Sequence, residues 1–341
     1  MSKHDEGARS RLPIVISQGE PSGIGPEIAV KAWAALAGQI AGRSLRLIGS
    51  TELFREAAAL CGVDMPGLGE AIIDTELDSG LDSGLATGRL SQAGRPSVAT
   101  AAQVTAAIER GAHACLTREA AALVTAPIHK AVLTEAGFGF PGHTEFLAAL
   151  TGSERAVMML ASSDVDPPLR VVPFTIHMPL REVFRHLDSD AIVATGVVVL
   201  DALAKDFGCV HPRLAIAGLN PHAGEDGTMG REDLDLIAPA VAQLRAAGHA
   251  VSGPLSADTM FHQDARKTYD AALCMYHDQA LIPIKTLAFW TGVNVTLGLP
   301  IVRTSPDHGT ALGIAGKGIA NEASMIAAIR MAADIADRRG L

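Results

Sequence analysis

Short apolar segments that resemble strands alternate along this chain with longer, alanine-rich segments that resemble helices. This alternation restricts the fold more than any other feature of the sequence. The predicted strands are 12–17, 45–49, 122–125, 169–176, 213–219 and 271–276, and the predicted helices are 25–36, 51–60, 98–116, 190–207 and 231–247. The rhythm predicts an α/β fold in which helices cover both faces of a parallel sheet.

The composition suits such a fold and argues against several partners. Hydrophobic residues make up 48% of the 341 residues and aromatic residues only 4%, so the core must consist mainly of Ala, Val, Leu and Ile. The formal net charge is -9 and no basic run occurs, so we expect no nucleic-acid partner.

The longest apolar stretch, 191–200, is too short to span a bilayer. The polar first twelve residues do not resemble a secretory signal, and the four cysteines form no CxxC pair. We therefore expect a cytoplasmic protein with reduced thiols and no membrane partner.

Three of the predicted strands run directly into a histidine. The segments LRVVPFTIH, RLAIAGLNPH and AALCMYH end at His177, His222 and His277. Ligands of parallel α/β folds bind at the carboxyl ends of strands, and three neutral imidazoles leave coordination positions open for catalysis. For each histidine alone, a loop position or a capping role is the stronger explanation. The repetition at three strand ends favours a metal site, which we predict here.

Two carboxylates lie close to these histidines in the sequence. Asp278 follows His277, and Asp258 belongs to the run GPLSADTMFH. Either one could orient a histidine ring or bind the metal directly. A helix N-cap for Asp258 and a turn role for Asp278 are equally compatible with the sequence.

Further polar residues indicate an anionic ligand. Lys285, Asn294 and Arg303 lie in an otherwise apolar stretch, and buried cations need anionic partners. A substrate phosphate or carboxylate would serve, and an internal ion pair is the alternative. His143 and Thr144 open a predicted helix, where an anion is favoured, although an ordinary threonine N-cap also explains this position.

Glycine-rich turns form the remaining pattern. The turn QGEPSGIGPEI after the first strand is a weak signal for phosphate binding on its own. The segment DHGTALGIAGKGIAN, 307–321, is permissive enough to wrap a flat ligand through backbone contacts.

Taken together, the motifs resemble a known family of enzymes. PGHTEFL, NPHAGEDGTMGRED, GPLSADTMFH, YHDQALIPIK and GVNVTLGLPIVRTSPDHGTA are similar to those of the 4-hydroxythreonine-4-phosphate dehydrogenase family of vitamin B6 biosynthesis, over about 13–329. The segment 307–321 also resembles the adenine-side cofactor loop of isocitrate and isopropylmalate dehydrogenases. The resemblance implies an α/β/α sandwich of that type, with two lobes and the active site in the cleft. We expect one lobe to comprise 1–130 and 290–341 with the cofactor loop, and the other to comprise 131–289 with the metal ligands and dimer contacts.

The resemblance also assigns roles to residues. It implies a homodimer whose active site draws metal ligands from both subunits. One departure concerns Gly313, where family members often carry an acidic residue, so the choice between NAD and NADP stays open. The residues implied by the resemblance are His177, His222 and His277 for the metal and His143, Thr144, Lys285, Asn294 and Arg303 for the substrate. We further predict that His308, Gly309, Thr310 and Asn321 bind the cofactor and that Lys285, Asp258 and Asp278 take part in catalysis.

The implied reaction is the oxidation of 4-(phosphooxy)-L-threonine by NAD or NADP. The product, 2-amino-3-oxo-4-(phosphooxy)butanoate, would lose CO₂ to give 3-amino-2-oxopropyl phosphate. One divalent metal, zinc, magnesium or cobalt, would polarise the substrate hydroxyl. A related dehydrogenase acting on a four-carbon sugar-acid phosphate or an aromatic cis-dihydrodiol is the nearest alternative. A three-histidine metal hydrolase, which needs no nicotinamide, is the alternative from another class.

Overall fold

The computed structural model describes residues 11–63, 66–75 and 92–341. The first ten residues, which belong to the segment that argued against a secretory signal, lie outside this part. The strands are β1 (Ile14–Ser17), β2 (Gln39–Ile40), β3 (Arg43–Gly49), β4 (Ile72–Asp74), β5 (Ala122–Thr125), β6 (Val157–Ser162), β7 (Leu169–Pro173), β8 (Arg213–Ala217), β9 (Ala250–Leu255), β10 (Ala271–Cys274), β11 (Val293–Leu297) and β12 (Arg303–Pro306). The α-helices are α1 (Gly25–Ala35), α2 (Thr51–Leu60), α3 (Leu68–Ala71), α4 (Ala101–Leu116), α5 (Lys130–Glu135), α6 (His143–Thr151), α7 (Leu180–His186), α8 (Ser189–Lys205), α9 (Ala238–Ala246), α10 (Gln263–Arg266), α11 (His277–Leu287) and α12 (Ala323–Arg338).

The chain divides into two compact units. Unit 1 comprises Met1–Gly139 with His308–Leu341, and unit 2 comprises Phe140–Asp307. These boundaries differ from the expected ones in two places. Residues 131–139 were expected in the second lobe but belong to unit 1, and residues 290–307 were expected in the first lobe but belong to unit 2. The second difference arises because β11 and β12 hydrogen-bond into the sheet of unit 2, where β11 pairs with β6 and β12 pairs with β11.

The sheet of unit 1 has the order β2-β3-β1-β5, with β4 also paired to β3. β1 is parallel to β3 and β5, whereas the two-residue β2 runs antiparallel. Every residue of β1 and β5 is buried, and α4 and α12 both contact these two strands. Short apolar strands buried by alanine-rich helices explain how so few aromatic residues suffice for the core.

The sheet of unit 2 has the order β12-β11-β6-β7-β10-β8-β9. β7, β10, β8 and β9 are parallel neighbours, whereas the β12–β11, β11–β6 and β6–β7 pairs are antiparallel. The expected parallel sheet is present in β7, β10, β8 and β9, and three antiparallel pairs extend it. The connections 163–168 and 298–302 are too short for a helical crossover, so each forms a hairpin. The α/β class itself is confirmed. No helix in the described part of the chain has the length and apolar character needed to cross a membrane.

Candidate active site

The three predicted histidine-bearing strands are neighbours. β10 lies between β7 and β8, all three are parallel, and their carboxyl ends therefore share one edge of the sheet. The pairing of β7 with β10 continues beyond the strands, because the backbone N–H and the hydroxyl of Thr175 donate to the carbonyl of Met275 at 3.3 and 2.8 Å. Two residues further along each segment, the rings of His177 and His277 lie side by side, with centroids 5.5 Å apart.

These two histidines line a cavity of about 330 Å³. Asp278 lines it as well, and its Oδ1 lies 2.7 Å from Nδ1 of His277. A carboxylate at this distance accepts the Nδ1–H of a neutral imidazole, which leaves the Nε2 lone pair available to a metal. Two imidazoles with one ring oriented in this way fit zinc or cobalt. The other lining residues are Ile176, Met178, Leu180, Val183 and Tyr276.

His222 lies in a different environment. It begins a left-handed turn that runs to Asp226, with φ 52° and ψ 30° at His222 itself. Non-glycine residues in this conformation are strained, and such strain is common at functional sites. Within 11–63, 66–75 and 92–341, no three His, Cys, Asp or Glu side chains gather closely enough to hold a metal. A single chain thus brings two of the three expected ligands together, but not the third.

Asp258 is an exposed carboxylate close to His222. Ser256 donates a hydrogen bond to it at 2.5 Å, and this bond lowers the pKa of Asp258; the nearby His222 lowers it further. Asp258 lies in a 3₁₀ turn, Ala257–Thr259, and is not the N-cap of an α-helix. Its position therefore favours an interaction with His222 over a role as a helix N-cap.

Two buried polar residues hold these strand ends, and sequence reasoning missed both. Gln279 accepts a hydrogen bond from the backbone N–H of Met275 and donates one to the carbonyl of Gly218, each at 2.7 Å, so it ties the end of β10 to the end of β8. Asp233 is fully buried and accepts from the backbone N–H of Leu219, at 2.7 Å, in the segment that leads to His222. The motifs YHDQ and GRED contain these residues, but nothing in the letters distinguishes a buried polar side chain from an exposed one.

Arg303 and Asn294 lie on one face of the β11–β12 pair. Val295 pairs with Thr304, which sets Arg303 opposite Thr296, and the guanidinium donates to the Thr296 hydroxyl at 2.9 Å. Asn294 precedes Thr296 by two residues and shares its face; its Oδ1 is buried and has no hydrogen-bond partner among the described residues. Arg303 is only 2% exposed, and burial lowers its pKa to about 9. An anionic ligand beside this guanidinium would offset its desolvation.

Lys285 forms the internal ion pair that was the alternative to substrate binding. Its Nζ lies 2.7 Å from the Asp307 carboxylate and also donates to the Asp307 carbonyl. The ammonium group sits 5.5 Å from the Phe289 ring centroid. The two roles are compatible, because an ammonium group has three donors.

α6 begins at His143, as expected. Its N-cap is Gly142, with no side-chain capping bond, so Thr144 is a first-turn residue and not the cap. The two side chains therefore occupy the end of the helix at which the backbone N–H groups and the helix dipole favour an anion.

The residues expected to bind the cofactor lie in unit 1. Residues 309–322 have no regular secondary structure. The Thr310 carbonyl accepts from the Ile24 backbone N–H at 3.0 Å, next to the glycine-rich turn after β1. Asn321 accepts from the backbone N–H of Ala323 at 2.8 Å, so its side chain helps to begin α12. His308 and Gly309 are exposed.

Comparison with known proteins adds to this geometry. The model of the family "Pyridoxal phosphate biosynthetic protein PdxA" matches residues 43–332. A 4-hydroxythreonine-4-phosphate dehydrogenase of Caulobacter vibrioides is 51% identical over 335 residues, covering 96% of this chain and 99% of the relative. The crystal structure of the Klebsiella pneumoniae enzyme of that name has a TM-score of 0.81 and 36% identity, covering 95% of this chain and 99% of the other. A terephthalate 1,2-cis-dihydrodiol dehydrogenase of Burkholderia xenovorans has a TM-score of 0.63 and 28% identity, covering 97% and 98%. The resemblance expected from the motifs is confirmed, and this chain belongs to the PdxA family.

Proposed function

We propose that this chain is a metal-dependent dehydrogenase that oxidises 4-(phosphooxy)-L-threonine with NAD or NADP, in the biosynthesis of pyridoxine 5'-phosphate. The product, 2-amino-3-oxo-4-(phosphooxy)butanoate, then loses CO₂ to give 3-amino-2-oxopropyl phosphate. The observation that carries the proposal is the pair of His177 and His277, with Asp278 on the His277 ring, at the ends of two adjacent parallel strands. The name of the 51%-identical Caulobacter relative supports the choice of reaction.

The metal would bind to His177 and His277. When bound, a divalent ion such as zinc, magnesium or cobalt polarises the substrate hydroxyl and makes its proton easier to remove. Asp278 holds the His277 ring in one orientation and one tautomer, so the ring does not have to reorganise on binding.

The anionic ends of the substrate would bind to Arg303, Asn294, Lys285, His143 and Thr144. The Arg303 guanidinium is buried and rigidly placed, which suits a phosphate or carboxylate. Lys285 is held by Asp307, which fixes the position of its ammonium group, and we propose that this group contacts the substrate. When bound, the nicotinamide would accept the hydride of the carbinol carbon, and the hydroxyl proton would leave to a base of the protein. We assign Lys285 or Asp258 to this proton transfer.

The cofactor would bind to the loop that carries His308, Gly309, Thr310 and Asn321. Its glycines allow close approach to a dinucleotide. Lys317 is the single ionised side chain between residues 309 and 321, and no acidic residue stands there to hold a ribose 2'-hydroxyl.

The third metal ligand would come from a second subunit. His222 does not join His177 and His277 in the described part of one chain, so we propose a homodimer in which the partner subunit's His222 completes the site. Large hydrophobic side chains exposed on unit 2 support such an interface: Leu180 at 60%, Ile282 at 63%, Phe289 at 60% and Trp290 at 58% exposure.

Mixing of inactive variants tests this arrangement. His222→Ala mixed with His277→Ala forms heterodimers that contain one intact site, so we expect about a quarter of the wild-type activity after random reassociation. His222→Ala mixed with His177→Ala should recover similarly. His177→Ala mixed with His277→Ala should stay inactive, because both residues belong to the same half-site. A different pattern of recovery would reassign the shared ligand, and failure of all three mixtures would exclude a shared site.

The reaction itself is tested by NADH or NADPH formation, followed by absorbance, with three substrates. These are 4-(phosphooxy)-L-threonine, a four-carbon sugar-acid phosphate and an aromatic cis-dihydrodiol. We expect turnover with the first, dependent on an added divalent metal. Turnover with the dihydrodiol alone would favour the activity named for the Burkholderia relative. Absence of nicotinamide reduction, together with hydrolysis of phosphate or ester substrates, would favour a metal hydrolase.

We also propose a cytoplasmic location. All four cysteines, Cys61, Cys115, Cys209 and Cys274, are free thiols, which suits a reducing compartment. Fractionation of cells with an antibody against the chain would test this placement.

A further inference from the structure

The loop of residues 309–322 needs support from outside itself. It has no regular secondary structure, so its backbone N–H and C=O groups cannot be satisfied by a helix or a ladder. It alternates exposed residues, such as Ile314 and Ile319, with the buried Ala315 and Ala320. Its shape must therefore be set by the element on its buried side.

Glu27 of α1 supplies part of this support. Its side chain is 3% exposed, and its two carboxylate oxygens accept the backbone N–H groups of Gly316 at 2.6 Å and Gly318 at 3.0 Å. Both glycines have positive φ, 76° and 67°. A Cβ at residue 316 would lie 2.5 Å from the Cβ of Ala93, so this position also requires glycine for space. One buried carboxylate thus fixes the two glycines that turn the loop.

Lys31, one helical turn further along α1, supplies a second part of this support. Its ammonium group donates to the carbonyls of Gly318 at 2.7 Å and Ala320 at 2.8 Å. Residues four apart lie on the same face of a helix, so Glu27 and Lys31 contact the loop from the same side. Between them they satisfy two donors and two acceptors of residues 316–320.

We propose that Glu27 and Lys31 are positioning residues that hold this loop in the shape that binds the nicotinamide dinucleotide. The inference rests on the proposed function, since that function makes the loop a cofactor site. Neither side chain needs to touch the cofactor. They satisfy the buried side of the loop, so its exposed side faces the ligand without further ordering, and preorganisation of this kind raises affinity.

The test compares Glu27→Gln and Lys31→Met with the matched surface variants Glu52→Gln and Lys130→Met. Glutamine places an N–H₂ group against a backbone N–H, and methionine keeps the aliphatic stem but removes the donor. For Glu27→Gln we expect the dissociation constant and KM for NAD or NADP to rise by roughly tenfold, with kcat at saturating cofactor and KM for the phosphorylated substrate nearly unchanged. For Lys31→Met we expect a rise of about threefold to fivefold. The two surface variants should match the wild type.

Amide hydrogen exchange supplies a readout local to the loop. The amides of Gly316 and Gly318 should exchange faster in Glu27→Gln than in the wild type, while amides of β1 and β5 should not. If Glu27→Gln does not fold, Lys31→Met carries the test alone. Folded variants with wild-type cofactor affinity, or an equal loss in both KM values, would overturn the inference. A wild-type protein that binds neither NAD nor NADP would instead overturn the proposed function.

Discussion

The residues assigned to the metal and substrate in unit 2 are carried by a different kind of backbone from those assigned to the cofactor in unit 1. In unit 2, His177 and His277 follow two paired strands, so the strand register sets the distance between their rings. In unit 1, residues 309–322 have no register, and two side chains of a helix set their shape. The strand register therefore sets the spacing of the two histidines, whereas the shape of the loop depends on individual side chains.

His222 departs from this rule within unit 2. It follows β8 but lies beyond it in a left-handed turn, and the segment before it is held by buried Asp233. Its position thus depends on a supporting side chain, as in the loop of unit 1. His177 and His277 are thus positioned by strand pairing, whereas the position of His222, the third proposed ligand, depends on a single buried carboxylate.

The largest effect should follow from removal of a strand-end ligand. For His277→Ala we expect kcat to fall by about 10³-fold, because metal polarisation of the substrate contributes several kcal/mol to catalysis. Stability should change little, because the side chain lines a cavity and is not part of the packed core. Cofactor affinity, which belongs to unit 1, should also stay the same. Steady-state kinetics, metal analysis and calorimetry with NAD measure the three quantities, and wild-type turnover in this variant would contradict the metal assignment.

The next largest effect concerns the buried cation of unit 2. For Arg303→Met we expect KM for the phosphorylated substrate to rise by about 100-fold, since a charge-assisted contact to the substrate is lost. KM for the cofactor should not change. Thermal unfolding should show no large loss of stability, because burial of the guanidinium carries a desolvation penalty that the variant removes.

The result for Arg303→Lys makes this prediction sharper. If charge alone matters, lysine should restore most of the affinity for the substrate. If the planar guanidinium is needed for a bidentate contact, lysine should recover only part of it. A normal KM for the substrate in Arg303→Met would remove Arg303 from the binding site.

A smaller effect is expected from the carboxylate that orients His277. In Asp278→Asn the amide can still accept from Nδ1–H, but without the negative charge. We expect the metal affinity to fall by about tenfold, with kcat recovering at saturating metal. Titration of the metal-free enzyme with zinc measures the metal affinity. Asp258→Asn serves as a comparison for the orientation of His277, because Asp258 lies near His222 and does not contact the His277 ring nitrogen, as Asp278 does.

Whether the position of a site residue can be predicted from the sequence depends on which structural element holds that residue. The position of a histidine after each of three apolar strands was visible, and the parallel pairing of β7, β10 and β8 converts that pattern into proximity. The separation of His222 from the other two was not visible, because it depends on a turn whose positive φ values no local letter requires at His222 or Ala223.

The antiparallel strands and the supporting side chains were harder to predict. β11 and β12 have the sequences VNVTL and RTSP, which mix apolar and polar residues, and periodicity alone does not mark segments this short as strands. Glu27, Gln279 and Asp233 form hydrogen bonds with backbone groups that are far away in the sequence and become neighbours only in the folded chain. Lys285 shows the same limit, since its partner Asp307 becomes a neighbour only through the sheet.

The smallest effects concern ion pairs away from either site, one in each unit. Burial raises the pKa of Asp337, but Arg43 and Arg11 outweigh this effect, so the pKa lies below its usual range. Burial likewise raises the pKa of Asp270, and Arg213 outweighs it. The Arg43 side chain is 1% exposed and the Arg213 side chain 45%. Loss of Asp337 therefore leaves a buried cation without its carboxylate, whereas water can replace Asp270.

We expect Asp337→Asn to lower the free energy of unfolding by about 1–2 kcal/mol at pH 7, and Asp270→Asn by less than about 1 kcal/mol. A carboxylate with a lowered folded-state pKa stabilises the protein above its unfolded-state pKa of about 3.9, and this contribution disappears as the pH falls through the folded-state value. The difference between wild type and either variant should thus be constant from about pH 5 to 7 and shrink toward pH 2. Urea unfolding at several pH values measures it. Equal losses for the two variants at pH 7 would mean that burial of the arginine does not decide the cost.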